Sequence, residues 1–171
     1  MIESGDVLLI SGASKNKGIF DLALGIVQVA SSMGRNAVLL DAGVANKTNV
    51  QRNGWVQVLK GQTSFDECFA EVISGSENVA YPGSSDDTEI TRMLAIDEFR
   101  ALVETLRQNS DLVVIATPPH STSLNAELVA ITSNGAILAV HSGNDSVNDI
   151  NKIELSLGMM KIPFLGVVLI E

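Results

Sequence analysis

The feature that most constrains this fold is a set of five short apolar runs that no polar residue interrupts. They occupy residues 7–10, 37–40, 112–115, 136–140 and 164–170. A strand with one face in water alternates apolar and polar residues, whereas a strand covered on both faces reads as a continuous apolar run. None of the runs approaches the ~18 residues that a membrane-spanning helix needs. The runs therefore predict buried strands of a mostly parallel sheet.

Segments with helical periodicity lie between these runs, at residues 18–33, 96–108, 124–131 and 146–157. In the first of them the apolar positions are Ile19, Leu22, Ala23, Ile26, Val27 and Ala30. Gly34 follows as a predicted C-terminal cap, and the last segment is expected to end at Gly158. Strands that alternate with helices form parallel βαβ crossovers with helices on both faces of the sheet. The predicted fold class is α/β, with three layers around a doubly wound sheet.

The stretch 42–97 is less regular. Residues 55–61 and 65–73 resemble short helices, residues 78–81 a brief strand, and residues 84–88 a polar loop.

Composition excludes several classes of protein. The chain has 171 residues, 20 acidic against 11 basic, and a net charge of −9. So few positive charges form no basic face for nucleic acid or an anionic membrane, and no direct membrane insertion is expected. The single cysteine, Cys68, excludes a disulfide framework and a cysteine-based zinc site. The start lacks the positive segment of a secretory signal, so a cytoplasmic location is expected. We expect one domain over residues 1–171, and it could be the C-terminal part of a longer protein.

Three strand ends are the expected place for chemistry, because open parallel sheets bind ligands beyond the carboxyl ends of their strands. The first is residues 11–20, between a strand and a long helix. Such a loop offers backbone N–H groups and a helix N-terminus to a phosphate. The other two ends are residues 38–43 and 112–119.

In this order, the three ends resemble the cytoplasmic tyrosine kinases of bacterial polysaccharide co-polymerases, which are related to the partitioning-type P-loop ATPases. In that family the first loop reads Ser-Ala-Thr-Pro-Gly-Glu-Gly-Lys-Ser, the second strand ends Asp-Ala-Asp, and the third ends Asp-Thr-Pro-Pro. Residues 54–61, 78–83, 136–143 and 165–169 are similar to further family segments. The resemblance covers nearly the whole chain and implies a P-loop NTPase-like fold.

The resemblance also implies a degenerate catalytic site. A P-loop lysine reaches the β- and γ-phosphates, and the following hydroxyl holds Mg²⁺. Ile19 and Phe20 occupy those two positions, and Ala116 stands where the metal-associated aspartate ends the third strand. Gly43 and Asn125 replace two further acids of the family pattern. The autophosphorylated tyrosine tail is missing, since the chain has one tyrosine. No catalytic residue and no metal ligand is therefore predicted.

A weak or vestigial phosphate site remains as an expectation. Its candidate residues are Ser14, Lys15, Asn16, Lys17, Gly18 and Asp41. Two lysines supply charge, the helix supplies its positive end, and asparagine tolerates a left-handed backbone. The plainer interpretation is that the lysines are solvated and that Asp41 caps the turn after its strand.

Four other side chains carry further predictions. His120 and His141 follow neighbouring strands and could form a metal or acid–base pair with Asp41 or Asp145. Trp55 is either an exposed contact or part of the core, and its apolar neighbours favour the core. We expect Cys68 to be a buried apolar residue.

Two hypotheses of function follow. The first is an inactive kinase-like domain that acts by protein contacts in exopolysaccharide or capsule assembly, with no cofactor. Its partners would be a polysaccharide-assembly membrane protein, an active kinase homologue or further copies of itself. A partner or an upstream segment would tether it to the inner face of the inner membrane. The alternative is an active ATPase or kinase that binds ATP and Mg²⁺ through Lys15, Lys17 and Asp41.

Overall fold

The computed structural model describes residues 5–15, 17–45, 53–74 and 78–170. The strands among these residues are β1 (Asp6–Gly12), β2 (Ala37–Asp41), β3 (Val79–Ala80), β4 (Leu112–Ala116), β5 (Gly135–His141) and β6 (Phe164–Ile170). The helices are α1 (Ile19–Ser32), α2 (Trp55–Leu59), α3 (Phe65–Ser74), α4 (Asp87–Leu94), α5 (Asp97–Asn109), α6 (Asn125–Ala130) and α7 (Val147–Met159). Within the described ranges, no helix is both long enough and apolar enough to cross a membrane.

The six strands form one sheet in the order β3-β2-β4-β1-β5-β6, and every neighbouring pair is parallel. All five apolar runs lie in its strands, and the predicted α/β, doubly wound architecture is confirmed. The carboxyl ends of β1, β2 and β4 lie side by side, because β4 pairs with both other strands. The sheet therefore brings the three predicted ends to one edge.

The two faces of the sheet are covered unequally. On one face α1 packs across β2, β4 and β1, and it buries Ile19, Ala23, Val27 and Ala30. On the other face α5, α6 and α7 build a larger core that contains Trp55 and Phe99. These two rings lie 5.5 Å apart. The apolar side chains account for both layers, since removing them from water is the main favourable term in folding.

The helix α4 was not predicted from the sequence. Residues 87 and 88 were expected in a polar loop, yet the helix begins at Asp87. The side chain of Asp86 caps it by accepting the Glu89 N–H at 2.8 Å. An aspartate three residues before a glutamate is a helix-start pattern, so the loop prediction was wrong for these two residues. The last helix, α7, also continues one residue past Gly158, its predicted end.

Other local predictions are confirmed. Gly34 ends the first long helix with a positive φ of 78°. The Trp55 side chain is completely buried, and its Nε1 donates to the Asp41 carbonyl at 2.8 Å. Cys68, which was predicted to be buried, is only half-buried, although it does pack against the core. Burial raises the pKa of its thiol to about 11. This thiol therefore stays protonated at neutral pH.

Candidate functional site

A cleft of about 760 Å³ lies at the edge where β1, β2 and β4 end. Ser14 of the β1–α1 loop, Gly43 after β2 and Pro118 after β4 line it, and α4 forms a further wall. The sheet register aligns the strand ends, since Ala116 of β4 pairs with Asp41 on one side and with Ile10 on the other. The cleft occupies the place where the resemblance expects a phosphate and its metal ion.

The β1–α1 loop folds back tightly over Gly12. A Cβ on this glycine would lie 2.6 Å from the Lys15 carbonyl oxygen and 2.8 Å from Cδ1 of Ile19, so only glycine fits. Gly18 precedes the helix with a φ of 77°, and a Cβ there would lie 2.9 Å from Ile170. Ile19 is completely buried in the core beneath α1. The side chain that the resemblance aligns with the P-loop lysine therefore fills the inside of the loop.

The other two residues that the resemblance aligns with catalytic groups, Phe20 and Ala116, are apolar and packed as well. Phe20 is half-buried, and its ring stacks on Tyr81 with centroids 6.2 Å apart and planes at 21°. Ala116 is completely buried at the end of its strand. Neither side chain offers an atom that binds Mg²⁺, which prefers oxygen ligands.

The polar side chains of the loop contact the turn between β5 and α7. The Ser14 hydroxyl donates to Oδ1 of Asp145, and Lys15 Nζ donates to Oδ1 of Asn144 at 2.8 Å. Oδ2 of Asp145 accepts the backbone N–H of His141 at 2.7 Å, and this carboxylate is almost completely buried. We call these bonds the loop–turn contact. Through this contact, the carboxylate of Asp145 is the hydrogen-bond partner of Ser14 in the β1–α1 loop.

Two further members of the predicted phosphate site are Lys17 and Asn16. Lys17 is exposed, and Asn16 lies outside the described residues. Phosphate binding by this set of residues therefore stays a prediction.

The Asp41 side chain accepts hydrogen bonds from the backbone of the turn that follows β2. Its Oδ1 accepts the N–H groups of Gly43 at 3.2 Å, Val44 at 2.7 Å and Ala45 at 3.2 Å. Burial raises the pKa of this carboxyl, and the three N–H bonds oppose that rise. The interpretation of Asp41 as a turn cap is confirmed.

Asn125 joins three elements, a role that its sequence position did not reveal. Its Nδ2 donates to the Ala42 carbonyl at 3.0 Å, and its Oδ1 accepts the Thr91 hydroxyl at 2.7 Å. This buried amide therefore connects the end of β2 to α4 and α6. The long sequence separation explains why no local pattern indicated it.

The two histidines have different carboxylate neighbours. Nδ1 of His120 lies 3.2 Å from Oε1 of Glu127, whereas Nδ1 of His141 lies 3.7 Å from Oδ2 of Asp145. Among the described residues, no three histidine, cysteine, aspartate or glutamate side chains gather where they could hold a metal ion. The predicted adjacency of the two histidines is also wrong, because β1 lies between β4, which precedes His120, and β5, which ends at His141. The structure therefore gives no support to the metal hypothesis.

Replacing Ser14 with alanine is expected to lower the free energy of unfolding by about 1 kcal/mol, because it removes one hydrogen bond to the Asp145 carboxylate. Urea unfolding measures the change. Ser121→Ala is the control, since Ser121 is an exposed serine on the chain segment after β4. Equal unfolding midpoints for both variants would contradict the loop–turn contact.

Two solved structures define the class of fold. The kinase domain of the Escherichia coli tyrosine kinase ETK superposes with a TM-score of 0.84 at 20% identity and covers 99% of this chain and 68% of that chain. The Pyrococcus furiosus cell division ATPase MinD superposes with a TM-score of 0.70 at 18% identity, over 96% of this chain and 71% of that chain. The fold is therefore that of the MinD-type P-loop ATPases.

Sequence relatives narrow the class. Tyrosine-protein kinase CpsD of Streptococcus pneumoniae serotype 4 is 24% identical over 176 residues, which is 97% of this chain and 77% of that kinase. CpsD of Streptococcus agalactiae is 22% identical over 165 residues, or 92% of this chain and 70% of that kinase. No family model matches the chain. These findings confirm the resemblance to the bacterial tyrosine kinases of the P-loop superfamily.

Proposed function

We propose that this chain is a catalytically degenerate tyrosine-kinase-like domain that takes part in exopolysaccharide or capsular polysaccharide biosynthesis or export through protein contacts. The observation that carries the proposal is Ile19, which is completely buried at the position of the P-loop lysine. A side chain that packs inside the loop cannot reach a phosphate, and an alkyl group cannot neutralise one.

The energetic argument concerns three lost groups. In phosphoryl transfer the protein contributes mainly position and charge neutralisation, and each removed partner costs on the order of 3 kcal/mol. The apolar side chains of Ile19, Phe20 and Ala116 replace a cation, a metal-binding hydroxyl and a carboxylate. If these losses were additive they would total about 9 kcal/mol, which is more than a millionfold in rate. Such a deficit leaves no useful kinase activity by the usual mechanism.

The alternative of an active site rebuilt from Lys15, Lys17 and Asp41 has less support. Lys15 already donates to Asn144, and Oδ1 of Asp41 already accepts three N–H groups. Rebuilding the site would require both side chains to exchange these partners for phosphate or metal.

The intact fold beneath the site supports a role in binding other proteins. The core beneath the site is closely packed, and the three catalytic positions hold side chains that fit it. By analogy with the kinases that the chain resembles, we propose two kinds of partner: a membrane protein of polysaccharide assembly, or an active kinase homologue. The proposed location is the cytoplasm, at the inner face of the membrane when the partner is bound.

A double variant, Lys15→Ala with Lys17→Ala, is expected to restore normal polysaccharide production in a host strain that lacks the gene. The reason is that a contact-only role needs no phosphate site. The measurement is the amount of exopolysaccharide or capsule per cell, at protein levels matched by immunoblot.

Val113→Asp is the negative control, because it places a charge in the buried centre of β4 and abolishes the fold. The double variant could instead be present at the wild-type protein level and yet make as little polysaccharide as the deletion strain. That result would contradict the proposal, because it would show that Lys15 and Lys17 are required.

A further inference from the structure

A second cavity, of about 410 Å³, lies beside the segment that follows β4. The β1–α1 loop, residues 120 and 121, α6 and α7 each supply part of its wall. Of the described residues that line it, only Ser14 also lines the cleft at the strand ends. Its volume falls in the range of about 300–1,000 Å³ that small-molecule sites occupy. We call it the His120 cavity, and it is separate from the three substituted catalytic positions.

The imidazole of His120 is the buried polar group of this cavity. Its side chain is 7% exposed, and its Nδ1 lies 3.2 Å from Oε1 of Glu127. An ionised carboxylate only accepts hydrogen bonds, so Nδ1 donates and the neutral ring keeps Nε2 as an acceptor. Oε2 of Glu127 is buried with no partner among the described residues, so the carboxylate depends on this bond to the ring. Within the described ranges, Nε2 itself accepts no hydrogen bond.

The charged groups of the cavity favour a neutral ligand. Two carboxylates, of Glu127 and Asp149, and one ammonium group, of Lys152, line it. The carboxylates repel an anion, and the ammonium group repels a cation. Asp149 and Lys152 lie 3.5 Å apart, and both side chains are more than half exposed, so they form a solvated pair on the outer side of the cavity. An ionic ligand would compete with this pair, whereas a neutral ligand leaves it intact.

The rest of the wall combines hydroxyl groups with a small apolar surface. Ser14, Ser121 and Ser156 line the cavity, and a serine hydroxyl both donates and accepts. Ala13 and Ile153 are the apolar lining residues. A saccharide matches this combination, because its ring carries several hydroxyl groups that donate and accept, together with C–H groups that pack on apolar side chains. A few placed polar groups on an otherwise apolar wall are typical of small-molecule sites.

We propose that the His120 cavity binds a neutral monosaccharide unit, one hydroxyl of which donates to Nε2 of His120. Glu127 is a positioning residue, because it holds the ring and fixes its acceptor nitrogen. The expected Kd is in the range of about 1–10 mM, since most lining side chains are exposed and ordering them opposes binding. The cavity lies outside the cleft, so this binding does not depend on whether the chain binds nucleotide.

A titration of the full chain with D-glucose, D-galactose and N-acetyl-D-glucosamine, followed in amide NMR spectra, tests the site. The expected result is a saturable change confined to residues around the cavity for at least one of these sugars. His120→Ala removes the acceptor and is expected to weaken binding about fivefold, the effect of one hydrogen bond. His120→Gln places an amide oxygen near the position of Nε2 and should recover part of that loss.

A steric variant keeps the test independent of the buried histidine. Ser156→Trp is expected to fill the cavity from α7 and to abolish sugar binding. Leu155→Trp is the matched control, because it adds the same side chain one position away, where Leu155 is 66% exposed and does not line the cavity. Unchanged sugar binding in Ser156→Trp would overturn the proposal.

Inorganic phosphate and ethylammonium, titrated in the same way, test the two ionic alternatives. No saturable change with any of the three sugars up to about 100 mM, ten times the upper end of the expected Kd, would overturn the proposal. Tighter binding of phosphate or ethylammonium than of every sugar at these residues would also overturn it, because that result would show that the cavity selects a charged ligand.

Discussion

Replacing Ile19 with lysine is expected to lower the free energy of unfolding by about 3 kcal/mol or more. The isoleucine side chain is completely buried, and Gly12 directly below it leaves no room for a longer chain. An ammonium group in this position loses its hydration without gaining a partner, and unpaired buried charges cost about 3–5 kcal/mol. Urea unfolding can be followed by the fluorescence of Trp55, the single tryptophan of the chain.

Ile19→Leu is the matched control, and we expect it to cost less than about 1.5 kcal/mol because it conserves volume. Millimolar ATP with Mg²⁺ should not restore the stability of the lysine variant, since Phe20 and Ala116 still supply no ligand for the metal. A lysine variant as stable as the wild type would contradict the account. It would show that this position opens toward the cleft and can hold a phosphate-binding group.

Replacing Asp41 with alanine is expected to cost about 3 kcal/mol. One carboxylate oxygen accepts the N–H groups of Gly43, Val44 and Ala45, and alanine leaves these donors without a partner. An unsatisfied buried donor costs about 1–3 kcal/mol. Asp41→Asn keeps an oxygen in the same place, so it should retain most of the stability at pH 7. Equal losses in the two variants would contradict the role of Asp41 as an acceptor for the turn.

The same carboxyl predicts a pH dependence. Burial raises the pKa of Asp41 above its ordinary value of 3.8. The folded chain therefore holds this proton more tightly than the unfolded chain, and the contribution of Asp41 to stability falls as the pH rises from below 3.8 through the folded pKa. Asp41→Asn lacks this dependence. The free energy of unfolding of the wild type, taken relative to that of Asp41→Asn, should therefore fall as the pH rises from about 3 to about 7. Parallel curves for the two proteins would contradict the raised pKa of Asp41.

The sheet was predictable because its signal is local. A buried parallel strand needs apolar residues on both faces, and the five apolar runs meet that need within a few residues each. The order of the strand ends was also enough to reveal the resemblance. By contrast, α4 begins with acidic and polar residues, and its apolar positions Ile90, Met93 and Leu94 are few. Its capping aspartate was the available signal.

The loop–turn contact could not be predicted in the same way. Ser14 and Asp145 are separated by 131 positions, and only the pairing of β1 with β5 brings them together. The resemblance, read from the sequence, implied that Ile19, Phe20 and Ala116 stand at the catalytic positions, and that assignment stays a prediction. The helical periodicity also put Ile19 on the apolar face of α1. It did not indicate that this side chain contacts Gly12 beneath the loop, because that contact depends on the position of α1 over the sheet.

The most direct test of the central claim is a calorimetric titration of the purified chain with ATP and ADP, each with and without Mg²⁺. The account predicts no binding up to about 1 mM nucleotide, which corresponds to less than about 4 kcal/mol of binding free energy. Micromolar, Mg²⁺-dependent binding would contradict it. Variants Lys15→Ala, Lys17→Ala and Asp41→Asn would then identify which groups had replaced the missing lysine and metal ligands.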